Sequence, residues 1–117
     1  MPQSPTVFVV QDSGRLNLTQ ASSFGTLRIL LPARMQLQID CTEAIAHMKD
    51  KLQDFDDCDC ILATGDPAAI SIAIAAAAMV NNGLVNMLKW DRQTNSYYKL
   101  PIDLSEILYE PFIGSDQ

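Results

Sequence analysis

The sequence predicts a small, single-domain α/β fold: a four- to five-stranded mixed sheet, two main helices and a C-terminal β-hairpin. Short runs rich in β-branched and aromatic residues alternate with two longer segments of helical periodicity. A polar loop separates the last two apolar runs, which is typical of a hairpin. The chain has 117 residues, enough for one hydrophobic core and too few for two.

The first half of the chain predicts two strands and one long helix. The strands are expected at Val7 to Val10 and at Thr26 to Leu31. The helix is expected to begin at Asp40, because Asp40 and Glu43 have the spacing of a capping box, and to run to about 55. Its apolar stripe, spaced by three or four residues, consists of Ile45, Met48, Leu52 and Phe55.

The middle of the chain predicts a buried strand that leads into a buried helix. Cys60 to Ala63 is short and entirely apolar, which indicates a central strand. Asp66 stands where an N-cap belongs, and Pro67 takes the first helical position, where its missing N–H is no loss. The helix that follows is apolar on most sides and ends before Gly83. Part of its surface therefore has to be covered by another helix or by a second subunit.

The same helix carries a ridge of small residues. Ala69, Ala73 and Ala77 are spaced by four and permit close approach of another element. Packing against the chain's own sheet explains this ridge as well as an interface does. Because two long helices have to cover both the sheet and this apolar helix, we expect self-association as a homodimer, with the ridge as part of its interface.

The last part of the chain predicts the hairpin. Its strands are expected at Leu84 to Trp90 and at Tyr97 to Leu104. Pro101 lacks a backbone donor, so the final strand is expected at an edge of the sheet. We expect residues 1–117 to form one domain, with 1–6 as a loose leader and 111–117 as a frayed tail.

The composition narrows the classes of function. Apolar residues make up 48% of the chain and charged residues 19%, which is typical of a globular protein. The net charge is −6, so a broad phosphate-binding surface and nucleic-acid binding are not expected. We find no secretory signal and no stretch of the roughly 20 apolar residues that a membrane span requires. The sequence therefore favours a cytoplasmic protein.

The cysteines give little support to a metal site or to catalysis. Cys41, Cys58 and Cys60 are an odd number without a secreted context, which favours reduced thiols. The C-x-C pair and His47 do not have the spacing of a structural zinc site. His47 is the only histidine, and no Ser-His-Asp or Cys-His arrangement can be assigned. We predict no metal and no cofactor, and the sequence favours a non-enzymatic protein.

Thr64, Gly65 and Asp66 form the competing candidate site, a ligand-binding turn at the carboxyl end of the central strand. A phosphate or carboxylate there would bind the free N–H groups of the helix, with Arg92 as the expected charge partner. However, the turn lacks both a G-x-G-x-x-G fingerprint and a Walker A lysine. Asp66 as a cap and Gly65 as a tight turn explain it without a ligand. Metal-dependent phosphate chemistry on Asp66 and Asp91 is a third hypothesis.

Trp90 and Arg92 are the other distinctive residues, because they place an aromatic ring and a cation at the hairpin turn. Exposed Trp and Arg are typical of binding hot spots, whereas buried ones would anchor the hairpin. Both interpretations stay open from the sequence. Tyr97 and Tyr98 point to opposite sides of their strand, so at least one should be exposed.

Several segments together resemble one group of proteins: Val7 to Gln11, Phe24-Gly25, Gly65-Asp66-Pro67 with Ala69-Ile70, Asn82 to Val85, Leu88 to Gln93, Tyr98, and Pro101 to Leu104. The sequence resembles small uncharacterised α/β proteins encoded by bacteriophages and prophages. The resemblance covers most of the chain and implies a phage setting, with no particular activity. Together with the features above, it predicts a non-enzymatic, homodimeric accessory protein of the host-cell cytoplasm that binds a host or phage protein. The alternative is a small-ligand or nucleotide-phosphate binding domain.

Overall fold

A computed structural model of the protein describes residues 4–12, 14, 18–32 and 41–110. Its strands and helices follow in chain order as β1 (Thr6–Gln11), α1 (Leu18–Ala21, continued by a 3-10 turn at Ser22–Phe24), β2 (Thr26–Leu31), α2 (Thr42–Lys51), β3 (Cys60–Leu62), α3 (Pro67–Val80), β4 (Leu84–Asp91), β5 (Ser96–Asp103) and α4 (Ser105–Tyr109). None of the described helices has the length and hydrophobicity needed to cross a bilayer.

The five strands form one mixed sheet in the order β2-β1-β3-β4-β5. The first four are parallel, and β5 runs antiparallel to β4 as the second strand of a hairpin. The prediction of a mixed α/β sheet with two main helices and a C-terminal hairpin is therefore confirmed. Pro101 lies in β5, opposite Asn86, and β5 is an edge strand as expected.

The connections between parallel strands place helices on both faces of the sheet. The chain moves from β1 to β2 in one direction, and then from β2 across β1 to β3 in the other. Because such crossovers are right-handed, a reversal of direction moves the connecting helix to the opposite face. The strand order reverses between β1 and β3, and the crevice at that point is where doubly wound folds bind ligands.

Two apolar clusters follow from this arrangement. One contains Phe8 and Val10 of β1 together with Met48, Leu52 and Phe55, so α2 and α3 cover this face. The other contains Val7 and Val9 with residues of α1 and the 3-10 turn. Alternate residues of β1 thus face the two layers. Apolar side chains fill both faces of this strand, as its nearly continuous apolar sequence requires.

Two predictions about α2 need correction. The helix ends at Lys51 and not near residue 55, although Met48, Leu52 and Phe55 are buried as predicted. Ile45, expected on the buried stripe, is 50% exposed, and Ala44 takes the inner position. The helix begins after Cys41, which makes no side-chain cap hydrogen bond. Asp40, the predicted cap, lies outside the described residues.

The alanine ridge of α3 also differs from its predicted role. Ala69, Ala73 and Ala77 are fully buried within the chain's own core, beneath the helix and against the sheet. Their small size permits the close approach of helix and sheet, which was the competing explanation. Because a buried residue offers no surface to a partner, these three alanines do not form an interface.

The predicted ends of the domain are only partly described. Thr6, placed by the sequence in the loose leader, belongs to β1, and its backbone N–H donates to Oδ1 of Asp59 at 2.9 Å. Residues 1–3 and the predicted tail, 111–117, lie outside the described residues.

Candidate functional site

The switch point between β1 and β3 is the first candidate site. Gln11 is the last residue of β1, and Thr64, Gly65 and Asp66 follow the end of β3. Thr64 and Asp66 are half-buried and Gly65 is exposed. The three residues predicted to bind a ligand therefore lie at the carboxyl end of β3, as the sequence predicts. Whether an anion would fit depends on which N–H groups at this turn are free.

The hydrogen-bond donors at the start of α3 are largely used within the chain. Oδ1 of Asp66 accepts from the N–H of Ala68 at 2.8 Å, which confirms the predicted N-cap. Pro67 at the first helical position has no N–H to offer. The N–H of Asp66 itself donates to Oε1 of Gln11 at 2.9 Å. An incoming anion would have to displace these bonds and lie beside the Asp66 carboxylate.

The Gln11 side chain also fills the space beneath the turn. It is 5% exposed, and its Nε2 donates to the carbonyl of Pro32 at 2.9 Å. Gly65 has a φ of +107°, and a Cβ at Gly65 would overlap Cβ of Gln11 and lie 2.7 Å from its Oε1. Glycine is therefore required both for the backbone conformation and for the contact. The Gln11 side chain thus packs directly beneath the turn at the switch point.

A cleft of about 220 Å³ does lie beside this turn, towards the hairpin. Thr64, Lys89, Trp90 and Tyr97 are among the residues that line it. Arg92, predicted as the charge partner of the turn, is exposed in the loop after β4 and is not among the lining residues that the structure describes. Among the described residues, the cation that lines this cleft is therefore Lys89 and not Arg92.

The aromatic residues at the end of the hairpin are packed against each other. The rings of Trp90 and Tyr97 meet edge to face, with centroids 4.9 Å apart. Tyr97 is 6% exposed and Tyr98 42%, as the alternation predicts. Burial raises the pKa of the Tyr97 hydroxyl. Trp90 is 37% exposed, so it anchors the hairpin through Tyr97 and still presents part of its ring to solvent.

The second candidate site is an apolar groove between α2 and α3, on the side of the helices away from the sheet. It has a volume of about 500 Å³. We call it the α2/α3 groove. Its lining residues are Ile45, Lys49, Ile72, Ala75, Ala76, Met79 and Val80. Met79 is 61% exposed, Ile45 50% and Val80 42%. Large apolar side chains are thus concentrated on a surface that the chain itself leaves open.

Among the described residues that line the α2/α3 groove, Lys49 is the one with a charge. It is exposed, and within the described residues no carboxylate pairs with it. The groove side of α3 consists of isoleucine, alanine, methionine and valine, and α3 contains no charged residue at any position. A partner of this groove therefore meets an apolar floor with one cation at the side.

The three cysteines and Asp59, in the segment before β3, differ in how far they are buried. Cys58 is exposed, Cys41 half-buried and Cys60 buried, and all three are free thiols. Burial raises the pKa of Cys60. Asp59, next to it, is 7% exposed and accepts hydrogen bonds from the backbone N–H groups of Thr6 and Asp56. No cluster of three metal-binding side chains occurs among the residues that the structure describes.

Sequence reasoning missed two residues that decide these sites. In the sequence, Gln11 is only the polar residue at the end of a predicted strand. The sheet topology brings it beneath the turn at Asp66, 55 positions away. Ile45 reads as a core residue because its spacing fits the apolar stripe. The packing of α2 against α3 decides instead that Ala44 is inside and Ile45 outside.

The fold and these sites define a small, doubly wound α/β domain with the Gln11 side chain packed at its switch point and an open apolar groove on one helical layer. Residues 5–104 match the model of the Phage Pam3 gp32-like protein family. The chain therefore belongs to this family, which confirms the phage setting that the resemblance implied. Neither a curated protein nor a solved structure gives a significant match to the chain.

Proposed function

We propose that this phage-family protein is a non-enzymatic accessory protein that acts by binding other proteins, and that it does so as a homodimer. The observation that carries the proposal is the α2/α3 groove. It exposes three large apolar side chains, Ile45, Met79 and Val80, next to one another. Contiguous apolar surface on a small domain is typical of a protein-protein contact.

A second copy of the chain is the occupant to which we commit. The helix that forms the floor of the groove carries no charge, so two copies meet there without like-charge repulsion along α3. Each copy brings two helices, of 10 and 14 residues, to the contact. Standard interfaces bury about 800 Å² per partner, which is the area that a stable dimer through these helices would need.

The host or phage protein that we expect as a further partner is a basic one. The chain has 14 acidic and 8 basic residues, and complementary charge increases the rate of association and the discrimination between partners. We place this action in the host-cell cytoplasm, where free thiols such as the exposed Cys58 remain reduced.

Ligand binding at Thr64, Gly65 and Asp66 remains the competing hypothesis, and the geometry of the turn favours it less. The N–H of Asp66 is held by Gln11 and that of Ala68 by the Asp66 side chain. The polar side-chain atoms that are buried in the described part of the chain all have hydrogen-bond partners. An anion at this site would therefore have to compete with bonds that already exist.

Sedimentation equilibrium over a range of protein concentrations tests the proposed dimer. We expect the average mass to rise from one to two chains as the concentration increases, since the exposed apolar area of each copy is modest. A mass of one chain at millimolar concentration would reject self-association. A pull-down of a basic partner whose yield falls with added salt would support the heterotypic role.

A further inference from the structure

We propose that the cleft of about 220 Å³ at the ends of β3 and β4 is a binding site for a small aromatic carboxylate. Lys89 and the hydroxyl groups of Thr64 and Tyr97 bind the carboxylate, and the ring of Trp90 packs against the aromatic body. The site is separate from the α2/α3 groove and goes beyond the proposed function. It also differs from the ligand site predicted at Asp66, because it lies between β3 and β4 and does not use the start of α3.

The cleft arises because β3 is much shorter than its neighbour β4. β3 has three residues and ends at Leu62, which pairs with Leu88, whereas β4 has eight residues and continues to Asp91. The part of β4 after Leu88 therefore has β5 on one side and, among the described strands, none on the other. Because β3 and β4 are parallel, the opening lies at the carboxyl ends of both strands. This is the end of an open α/β sheet at which ligands bind.

Two hydroxyl groups at the cleft have no hydrogen-bond partner within the described residues. Tyr97 is only 6% exposed, yet its hydroxyl forms no hydrogen bond there, and the same holds for the half-buried Thr64. Polar side-chain atoms that are fully buried in the described part of the chain all have partners, so the Tyr97 hydroxyl has to reach accessible space. Burial raises the pKa of Tyr97, so this hydroxyl stays protonated at neutral pH and can donate to a ligand.

Lys89 gives the cleft a positive charge. It is exposed, and within the described residues no carboxylate forms an ion pair with it. The described residues that line the cleft include no acidic one. Of the two nearest carboxylates along the chain, Asp66 caps α3. Asp91 accepts from the N–H of Gln93 at 2.9 Å and from the hydroxyl of Thr94 at 3.0 Å. A cleft with one cation and two hydroxyl donors favours an anion, although the whole chain has a net charge of −6.

The other lining residues determine the rest of the ligand. The apolar walls consist of Leu62, Ala63, Met87 and Leu88. Trp90 is 37% exposed, so a flat ring can pack against the open part of its indole. The volume of about 220 Å³ is below the roughly 300–1,000 Å³ of pockets for drug-sized ligands. A nucleotide is therefore too large for the cleft, and inorganic phosphate has no apolar body to fill it. An aromatic ring with one carboxylate fits both its walls and its donors.

The fluorescence of Trp90 tests the site directly, because the chain contains one tryptophan. The probes are benzoate, phenylacetate and 3-phenylpropionate, each titrated beside its amide, which keeps the shape and lacks the charge. We expect at least one acid to change the emission saturably with a Kd of about 1 mM or lower, as suits a ligand of about ten non-hydrogen atoms. The corresponding amide should bind at least about tenfold more weakly, because it loses the charge-assisted bonds.

Two variants assign the roles of the polar groups. Lys89→Gln should lower the affinity for the acid about tenfold or more. Lys51→Gln, which removes a charge from the exposed end of α2, is the matched control and should leave the affinity unchanged. Tyr97→Phe should lower the affinity about threefold to tenfold without lowering the urea midpoint, because its hydroxyl has no partner to lose within the described residues.

The backbone amide signals of Thr64 and Lys89 in NMR spectra give the position of the bound acid, and we expect them to shift during the titration. No saturable change with any of the three acids up to about 20 mM would overturn the proposal. Equal binding of acid and amide, or an unchanged affinity in Lys89→Gln, would overturn it as well. Shifts confined to the α2/α3 groove would place the ligand elsewhere and reject this site. None of these results depends on whether the protein is a dimer.

Discussion

Oε1 of Gln11 accepts a hydrogen bond from the backbone N–H of Asp66 at 2.9 Å and thereby joins the ends of β1 and β3 at the switch point of the sheet. Nε2 of the same side chain donates to the carbonyl of Pro32, after β2. One buried amide thus links the ends of three adjacent parallel strands. At the place where related topologies hold a ligand, this protein holds its own glutamine.

Gln11→Ala should lower the free energy of unfolding by about 1–3 kcal/mol, because the half-buried N–H of Asp66 loses its acceptor and the buried Gln11 side chain leaves a cavity. Urea denaturation measures this change. Gln93→Ala is the matched control, since the Gln93 side chain is exposed in the hairpin loop and the same substitution there should be nearly neutral. Equal stability of the two variants would show that the Gln11 bonds contribute nothing.

Phosphate and nucleotides should leave the melting temperature of the protein unchanged, because the N–H groups of Asp66 and Ala68 are already bound within the chain and the Asp66 carboxylate repels an anion. Asp66→Asn, which keeps a good N-cap without the negative charge, should behave in the same way. A ligand at 100 times its dissociation constant stabilises by about 2.7 kcal/mol, which a thermal-shift assay detects. A shift of that size with either protein would restore the ligand hypothesis.

Ala73→Leu should destabilise the protein by about 1–3 kcal/mol or more, because Ala73 is fully buried against the sheet and the added carbons have no space. Ala75→Leu, two positions along the same helix, should change stability by less than about 0.5 kcal/mol, since Ala75 is exposed. Both are measured by denaturation at a concentration where the protein is monomeric. The reverse order would place the alanine ridge on the surface.

The pH dependence of the free energy of unfolding should show the raised pKa of Asp59. Burial raises the pKa of this carboxyl above 3.8, and the hydrogen bonds from Asp56 and Thr6 only partly oppose the effect. A pKa that is higher in the folded state means that the contribution to stability is complete below the unfolded pKa and lost as the pH rises through the folded one. The stability of the wild type relative to Asp59→Asn should therefore increase as the pH falls from 7 towards 3.8. A constant or shrinking difference would contradict the raised pKa.

Local patterns were sufficient to predict most of the fold. The hairpin and β2 follow from runs of strand-forming residues, and the start of α3 follows from Asp66 and Pro67, whose effects depend only on neighbouring residues. The prediction for α2 was less accurate. Its apolar stripe fits more than one rotation about the helix axis, and the contact with α3 selects the one that exposes Ile45.

The candidate sites were harder to predict because they depend on distant residues. Periodicity marks α3 as apolar all round, but it does not show which side meets the sheet. The sequence therefore suggested the alanine ridge as the interface, whereas the fold buries that ridge and exposes Met79 and Val80. Likewise, Gly65 and Asp66 mark a turn, but the side chain that fills it comes from another strand.

Light scattering of the wild type beside Met79→Lys tests the central claim, that the α2/α3 groove holds a second copy. Met79 is largely exposed, so the variant should fold, and a lysine near the end of α3 suits the helix dipole. In the dimer, this lysine would enter an apolar contact, where its charge has no partner. Leu100→Lys, on the exposed part of β5, is the matched control. We predict a mass of two chains for the wild type and Leu100→Lys and of one chain for Met79→Lys; an unchanged dimer in Met79→Lys would contradict the account.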